Sequence, residues 1–203
     1  MKNPDTVVFD LGGVLVDWNP RYLYRKLIAD EAEREWFLNN VCTPDWNVRQ
    51  DAGRPIAEAN AEAIARHPDK ADLIRAFYDR FDETMAGPIQ GTVDILERLD
   101  AAGTPLYALT NWSAETFPIG RRRFPFLGRF RHITVSGEIK TIKPDPAIYR
   151  HVLAQANKPA EDCVFIDDSP KNVDAARALG FHALHFEGPE KLARELAALG
   201  FPA

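Results

Sequence analysis

The stretch "TVVFDLGGVLVDW" (residues 6–18) indicates how this chain folds. It begins with an apolar run that ends at Asp10, and Gly12 and Gly13 follow shortly after. A short apolar run of this kind is typical of a buried strand in a parallel sheet. Burying a charge without a partner is costly, and ligands bind outside the carboxyl ends of such strands. We therefore interpret Asp10 as a candidate catalytic residue.

Four more apolar runs have the same character, and helical patterns separate the later ones. The five predicted strands span residues 6–10, 106–110, 132–136, 163–167 and 182–186. Helices are predicted over residues 91–102, 145–156, 169–180 and 189–199. Asp145 and Ser169 are the expected N-caps, each followed by a proline at the first helical position. The alternation predicts an α/β fold with a parallel sheet covered on both faces.

Residues 19–87 interrupt this alternation, because they contain no convincing strand. Their pattern predicts helices at about 20–29, 31–40, 55–66 and 70–85. We expect a helical cap inserted after the first strand, with residues 1–18 and 88–203 forming the core. The bordering sequences "VDWNP" and "MAGPIQG" are the expected hinges. Four aromatic residues fit a core within the insertion, and a fifth in an irregular stretch is a candidate for the cleft: Trp36, Phe37, Phe77, Phe81 and, for the cleft, Trp46.

The composition restricts the class of protein. The 203 residues carry a net charge of −5, which argues against a nucleic-acid-binding protein. The two cysteines, Cys42 and Cys163, are far apart and do not suggest a disulfide framework. No apolar stretch has the length of a signal peptide or a membrane span. We therefore expect a cytoplasmic protein with no membrane partner.

Polar residues end three of the predicted strands at the same edge of the sheet. Asp10 ends the first strand, Thr110 and Asn111 end the second, and Asp167 and Asp168 end the fourth. Ligands of open parallel sheets bind at this edge, so we expect the three clusters to converge there. The alternative for each position alone is a solvated strand end.

Three converging carboxylates would repel one another in a partly buried cleft. A divalent cation removes that repulsion, and hard oxygen ligands without cysteine or histidine favour Mg²⁺ over zinc. The alternative is that Asp167 and Asp168 cap the helix that begins near Pro170. The N-terminus of that helix would also favour a bound anion such as phosphate.

Lys143, in "IKPDPAIY", has a flexible ammonium group that can reach both a carboxylate and a phosphate. The hydroxyl of Thr110 and the backbone N–H of Asn111 are suitable donors to phosphoryl oxygens. Together these residues predict attack of the Asp10 carboxylate on phosphorus, with charge screening by Mg²⁺ and Lys143. The product would be an aspartyl-phosphate that water hydrolyses.

"FDLGGVL", "LTN", the lysine of "KPDPAIY" and "FIDDSPKNVDAA" occur in this order between residues 9 and 176. They resemble the four motifs of the haloacid dehalogenase-like hydrolase superfamily. The resemblance implies a Rossmann-like three-layer core, a five-stranded parallel sheet of order 5-4-1-2-3, and a helical cap after the first motif. Within the superfamily, "FDLGGVLVDW" is similar to small sugar-phosphate phosphatases of the α-D-glucose-1-phosphate phosphatase type.

The resemblance also implies a role for each matching residue. Asp10 would be the nucleophile and a Mg²⁺ ligand, Gly12 would offer its carbonyl to the metal, and Asp167 and Asp168 would be further ligands. Lys143 would bridge the nucleophile and the phosphate, with Thr110 and Asn111 binding phosphate. Asn172 would orient the metal's water shell. Gly13 and Trp112 complete the candidate substrate-binding residues with Gly12, Thr110, Asn111 and Lys143.

Gly12 departs from the commonest pattern of the superfamily, in which an aspartate at this position protonates the leaving alcohol. General acid catalysis contributes about 10²–10⁴-fold, so activity would survive its loss. The similar sugar-phosphate phosphatases also lack this acid, and their anomeric leaving group needs it least. Asp17 is a candidate replacement, although a polar hinge residue is the preferred interpretation.

The sequence leaves two alternatives to a Mg²⁺-dependent phosphatase acting on a small metabolite. A metal-independent 2-haloacid dehalogenase would use Asp10 on carbon, with Arg21, Arg49 or Arg54 holding the substrate carboxylate. A non-catalytic protein that binds a phosphorylated ligand would retain the site without turnover. The expected partner is a small phosphorylated metabolite, and the expected state is a monomer or a homodimer.

Overall fold

The computed structural model describes residues 3–202, and it confirms an α/β fold with a five-stranded parallel sheet. Two further short strands form a separate antiparallel pair. The strands are β1 (Thr6–Phe9), β2 (Val16–Trp18), β3 (Met85–Pro88), β4 (Leu106–Thr110), β5 (His132–Val135), β6 (Cys163–Asp167) and β7 (His182–His185).

The order across the parallel sheet is β5-β4-β1-β6-β7. The expected order, 5-4-1-2-3, numbered only the strands of this sheet. The numbers differ here because β2 and β3, which form a separate pair, are counted before the second strand of the sheet. The strands beside β1 are β4 and β6, with Phe9 opposite Ala108 on one side and Ile166 on the other. Asp10 therefore follows the central strand of the sheet. At this point the strand order reverses, because later strands are added on both sides of β1.

Successive residues of β1 point to opposite faces of the sheet. Because the side chains on both faces are apolar and buried, helices cover both faces. Val7 and Phe9 pack in one buried cluster with Leu96 and Leu192, whereas Val8 packs in another with Tyr149. The described helices are α1 (Arg21–Leu27), α2 (Glu31–Asn40), α3 (Pro44–Asp51), α4 (Ile56–Arg66), α5 (Ala71–Asp79), α6 (Gln90–Ala101), α7 (Phe117–Arg123), α8 (Ser136–Ile139), α9 (Pro146–Ala156), α10 (Pro170–Ala178) and α11 (Pro189–Ala198). Two layers of helices thus enclose the sheet.

The predicted helix caps have different outcomes. Asp145 accepts a hydrogen bond from the N–H of Ala147 at 2.8 Å and caps α9 as expected. Ser169 occupies the expected N-cap position of α10, with Pro170 next, but its side chain makes no capping hydrogen bond. The Asp167 carboxylate instead accepts the Ser169 N–H at 2.9 Å. The end of β6 is therefore tied to the beginning of α10 by a carboxylate of the candidate site.

Helices α1–α5 lie between β2 and β3 and share a buried aromatic cluster. Trp46 contacts Phe77 and Tyr78, with ring centroids 5.3 Å apart in both pairs. Phe37 is buried as expected, whereas Trp36 is 47% exposed and does not belong to the core of the insertion. The buried face of α2 consists of Arg34, Phe37 and Leu38, and Trp36 lies outside it.

Two expectations about the insertion are wrong. Residues 44–51 form α3, although their polar sequence "PDWNVRQD" gives little helical periodicity. The helix expected to reach residue 85 ends at Asp79, and β3 begins at Met85 inside the segment expected to lack strands. The two expected hinges thus pair as β2 and β3, with Val16 opposite Pro88. The domain borders after residue 18 and before residue 88 stay a prediction. Strand β2 ends at the first border, and β3 crosses the second.

No helix in the part of the chain between residues 3 and 202 is long and apolar enough to cross a membrane.

Candidate active site

Asp10 follows β1 directly and is buried at the carboxyl edge of the sheet. Its N–H donates to the carbonyl of Ile166 at 2.8 Å, which continues the pairing with β6. Its Oδ1 accepts the N–H of Leu11 at 2.7 Å. The backbone therefore fixes the carboxylate that the sequence analysis singled out.

Lys143 is the buried cation beside this carboxylate. Its Nζ lies 2.8 Å from Asp10 Oδ1 and 2.7 Å from Asp167 Oδ2, and it donates to the carbonyl of Leu109 at 2.9 Å. Burial lowers the pKa of Lys143, but Asp10 and Asp167 raise it by more, so its net pKa lies above the ordinary value. The ammonium group is thus charged and fully engaged at neutral pH.

Asp167 is completely buried, and both of its oxygens accept hydrogen bonds. Besides Lys143 and the Ser169 N–H, the Nδ2 of Asn172 donates to Oδ1 at 3.0 Å and to Oδ2 at 3.2 Å. The Oδ1 of Asn172 is buried without a hydrogen-bond partner. Because the amide nitrogen is held by the carboxylate, an unpaired acceptor oxygen is left at the cavity wall.

Asp10, Asp167 and Asp168 form an acidic cluster, each offering an oxygen within 4.8 Å of the others. Burial is the largest effect on Asp10 and raises its pKa, Lys143 opposes this, and Asp167 adds to it. The pKa of Asp168 is raised by burial and by Asp167. These shifts report three carboxyl groups crowded together with a single ammonium partner.

A cavity of about 370 Å³ opens at this edge of the sheet. Nine of the predicted site residues line it, namely Asp10, Gly12, Gly13, Thr110, Asn111, Trp112, Lys143, Asp168 and Asn172. Asp167 lies behind the wall and reaches the site through Lys143 and Asn172. The structure therefore brings together all ten residues that the sequence analysis selected from four separate segments.

The two glycines after Asp10 differ in what they tolerate. A Cβ added to Gly12 would meet nothing within 4 Å, so space does not account for the missing acid side chain there. Gly13 has a φ of +74°, and its Cβ would lie 2.3 Å from Oδ2 of Asp168. Gly13 thus permits both the turn and the approach of the Asp168 carboxylate.

The side chains of Asn111 and Trp112 have structural contacts of their own. Asn111 Oδ1 accepts the N–H of Lys143 at 2.8 Å, and its Nδ2 donates to the Lys143 carbonyl at 3.1 Å. Trp112 is buried and its indole N–H donates to Thr116 Oγ1 at 3.1 Å. The amide of Asn111 therefore positions the Lys143 backbone, and Trp112 is both a core residue and a cavity wall.

Several cavity residues were not expected from the sequence. They come mostly from the insertion and are Asn47, Asp51, Tyr78 and Phe81, together with Thr116 and with Trp18 on β2. Asp51 ends α3, which the polar sequence did not indicate. A sequence signal for these residues is absent because the packing of the insertion onto the sheet determines which of its side chains reach the cavity.

Other residues considered in the sequence lie away from this cavity. Asp17 accepts hydrogen bonds from the Tyr22 hydroxyl at 3.0 and 2.9 Å. The indole of Trp46 packs in the insertion and donates to the carbonyl of Ala59. Arg21 pairs with Glu35 at 2.5 Å, and Arg54 pairs with Glu62. These contacts give each residue a partner outside the acidic cluster of Asp10, Asp167 and Asp168.

A family model described as haloacid dehalogenase-like hydrolase matches residues 4–180 of the chain. The chain belongs to this family. The matched range includes β1, β4 and β6, whose ends supply the acidic cluster and Thr110. This haloacid dehalogenase-like hydrolase is therefore an enzyme of the hydrolase class.

Curated relatives of this hydrolase include phosphatases. A sesquiterpene phosphatase from Aspergillus oryzae is 28% identical over 198 residues, covering 95% of this chain and 94% of that protein. A phosphoglycolate phosphatase from Pseudomonas syringae pv. syringae is 28% identical over 190 residues, covering 88% and 68%.

Solved structures share the fold over almost the full length. A HAD-family enzyme from Bacteroides thetaiotaomicron, solved as a magnesium complex, has a TM-score of 0.73 at 20% identity and covers 96% of this chain and 99% of that chain. A dehalogenase structure has a TM-score of 0.72 at 16% identity and covers 97% and 99%. The fold alone therefore does not distinguish a phosphatase from a dehalogenase.

Proposed function

We propose that this hydrolase is a Mg²⁺-dependent phosphomonoesterase that forms an aspartyl-phosphate on Asp10. The observation that carries the proposal is the convergence of Asp10, Lys143 and Asp168 on one cavity. Nucleophilic attack on a phosphate dianion requires three groups. They are a nucleophilic carboxylate, a cation and a carboxylate that can bind a metal ion.

The donor set fits magnesium. Asp10 and Asp168 provide carboxylate oxygens, Gly12 lines the cavity and has a backbone carbonyl, and Asn172 Oδ1 is an unpaired buried acceptor. Hard oxygen donors without histidine or cysteine match Mg²⁺. Asp167 contributes to the negative charge, although its oxygens are already engaged. Bound magnesium would screen the negative charge of the carboxylates and of the phosphoryl oxygens.

The protein residues then divide the work of phosphoryl transfer. Asp10 Oδ attacks phosphorus, the bond to the leaving oxygen breaks, and the phosphoryl group is transferred to the carboxylate. Lys143 stabilises the charge on Asp10 and on the transferred group. Thr110 is buried at the cavity and offers a hydroxyl donor to phosphoryl oxygens. Hydrolysis of the aspartyl-phosphate by water regenerates Asp10.

The contacts of the insertion argue against the dehalogenase alternative. Arg21 and Arg54 each pair with a glutamate, and Arg49 lies 3.9 Å from Glu62. The three arginines are not among the residues that line the cavity of Asp10. Asp168 and the unpaired oxygen of Asn172 are accounted for by a bound metal, which a dehalogenase does not need.

The substrate class is a small phosphorylated metabolite whose alcohol part contacts an aromatic wall. Trp18, Tyr78, Phe81 and Trp112 supply this wall, and about 370 Å³ accommodates a small molecule. A sugar phosphate agrees with the sequence similarity to glucose-1-phosphate phosphatases. It also agrees with the aromatic wall, because aromatic rings can cover the apolar face of a sugar. The relatives add phosphoglycolate and sesquiterpenyl phosphates as comparison substrates.

A screen of phosphorylated metabolites tests the proposal. We expect phosphate release with Mg²⁺, none with EDTA, and loss of turnover in Asp10→Asn, because the nucleophile is removed while its volume is kept. Asp79→Asn, an aspartate at the end of α5, is the matched control and should behave as wild type. Halide release without metal would support a dehalogenase. Binding of phosphorylated ligands without hydrolysis would support the non-catalytic alternative.

A further inference from the structure

Asp51 brings a carboxyl group from the helical insertion to the cavity that contains Asp10. It is the last residue of α3, and its Oδ2 accepts the Nδ2 of Asn47 at 3.1 Å. The carboxyl group also accepts a backbone hydrogen bond from Ser113, in the loop after β4. The Asp51 carbonyl accepts Ser136 Oγ at 2.6 Å. The side chain and the backbone carbonyl of Asp51 are therefore both held by hydrogen bonds, including ones from Ser113 and Ser136 next to the sheet.

The other titratable groups that line this cavity are already committed. Asp10 and Lys143 pair with each other, and Asp168 belongs to the acidic cluster. The Tyr78 hydroxyl donates to Asn47 Oδ1 and accepts from Gln50 Nε2, both at 3.0 Å, and burial raises the pKa of Tyr78 far above its ordinary value. Among the described residues that line the cavity, Asp51 is the remaining carboxyl group and lies outside the acidic cluster.

The surroundings of Asp51 keep its carboxyl group protonated up to neutral pH. Burial raises its pKa to about 7, and the Ser113 hydrogen bond opposes this. Within residues 3–202 no ion pair involves Asp51. The titratable or charged groups on the elements packed around it include Glu62, Tyr78, Glu115, Glu138, Lys140 and Lys171.

We propose that Asp51 is the general acid and base of the reaction, replacing the carboxyl group missing at Gly12. This proposal rests on the proposed phosphatase function. As Asp10 attacks phosphorus and the P–O bond breaks, the electron pair stays on the leaving oxygen, which takes the Asp51 proton. Water then attacks the aspartyl-phosphate and gives its proton to the Asp51 carboxylate. The cycle returns Asp51 to its protonated form and releases alcohol and phosphate.

The test compares two leaving groups in wild type, Asp51→Asn and Asp45→Asn. The substrates are p-nitrophenyl phosphate, whose leaving group needs no proton, and the best alkyl phosphomonoester of the screen. Asparagine keeps the hydrogen-bond acceptor for Ser113 and removes the acid. We expect kcat/KM of Asp51→Asn to fall about 10²-fold or more on the alkyl ester and to change little on the aryl ester. Asp45, exposed in the first turn of α3, is the matched control.

Equal losses on both esters in Asp51→Asn, or no loss on either, would overturn the proposal. A wild type that hydrolyses aryl but no alkyl esters would overturn it as well. A wild type that hydrolyses neither ester with Mg²⁺ would instead contradict the phosphatase function itself. Circular dichroism shows whether the variant folds.

If Asp51→Asn does not fold, the wild-type pH profile provides the test. The kcat/KM for the alkyl ester should fall as the pH rises through about 7, while that for p-nitrophenyl phosphate should not fall there. Parallel profiles for the two esters would refute the role of Asp51.

Discussion

Gly13 shows how one residue adapts the loop after β1 to the acidic cluster. Its φ of +74° lies in the left-handed region, and the space of its absent Cβ is taken by the Asp168 carboxylate. A side chain at this position would be destabilising for two reasons. The left-handed backbone conformation would cost about 1–2 kcal/mol, and the Cβ would clash with Asp168. The position therefore couples the turn after Asp10, the proposed nucleophile, to a proposed metal ligand.

Gly13→Ala should displace Asp168 and weaken magnesium binding. We expect the Mg²⁺ concentration for half-maximal activity to rise about tenfold or more, and the melting temperature to fall. Gly128→Ala is the matched control, because a Cβ at Gly128 contacts nothing within 4 Å. An unchanged magnesium dependence in Gly13→Ala would show that Asp168 does not hold the metal.

Lys143 stabilises two buried carboxylates at once, so its removal should be felt in the fold as well as in catalysis. Lys143→Met keeps the length of the side chain and leaves Asp10 and Asp167 without their cation. Breaking a buried pair costs about 3–5 kcal/mol, and we expect a loss of this size in the free energy of unfolding, measured by urea denaturation in EDTA.

The control for Lys143 is Lys191→Met, which removes an exposed ion pair with Glu187 and should change the stability little. Adding Asp167→Asn to Lys143→Met should recover part of the loss, because one uncompensated carboxylate disappears. A Lys143→Met protein as stable as wild type would mean that the ion pairs do not hold this edge of the sheet together.

At the scale of elements, α3 is held to the sheet through Ser136 at the start of α8. Ser136 Oγ accepts the N–H of Trp112 at 2.9 Å and donates to the Asp51 carbonyl at 2.6 Å. Deleting the hydroxyl leaves two backbone groups unsatisfied. Ser136 thus connects a cavity wall of the core to the helix that carries Asp51.

Ser136→Ala should lower the free energy of unfolding by about 1–3 kcal/mol, the cost of unpaired buried polar groups. Hydrogen exchange should speed up in α3 more than in β1, since the contact that is lost belongs to α3. Thr141→Ala is the control, because its hydroxyl makes only a 3.4 Å contact to Ile139. Unchanged protection of α3 would refute this role of Ser136.

At the scale of the whole molecule, the sequence was informative where one physical rule determines structure. The five strands of the sheet were predictable because strands buried on both faces are continuous apolar runs, as in Val7, Val8 and Phe9. The convergence of Asp10, Thr110 and Asp167 followed from parallel direction alone, since their strands end at one edge.

The insertion was less predictable, because its helices are defined by packing on one another rather than by their own pattern. Helix α3 was missed because it buries only two residues, Trp46 and Gln50, and the rest of the segment is too polar to show an apolar helical face. The β2–β3 pair was missed because its three- and four-residue strands are too short to show alternation. Asp51 could not be found for the same reason, as its place depends on how α3 packs onto the sheet.

The central claim is that the phosphoryl group passes through the carboxylate of Asp10. Acid quenching during turnover with Mg²⁺, reduction with borohydride and tandem mass spectrometry would locate the phosphorylated carboxyl group. We predict modification at residue 10 in the wild type and none in Asp10→Asn. Turnover with residue 10 unmodified, or with the modification on another residue, would contradict the account.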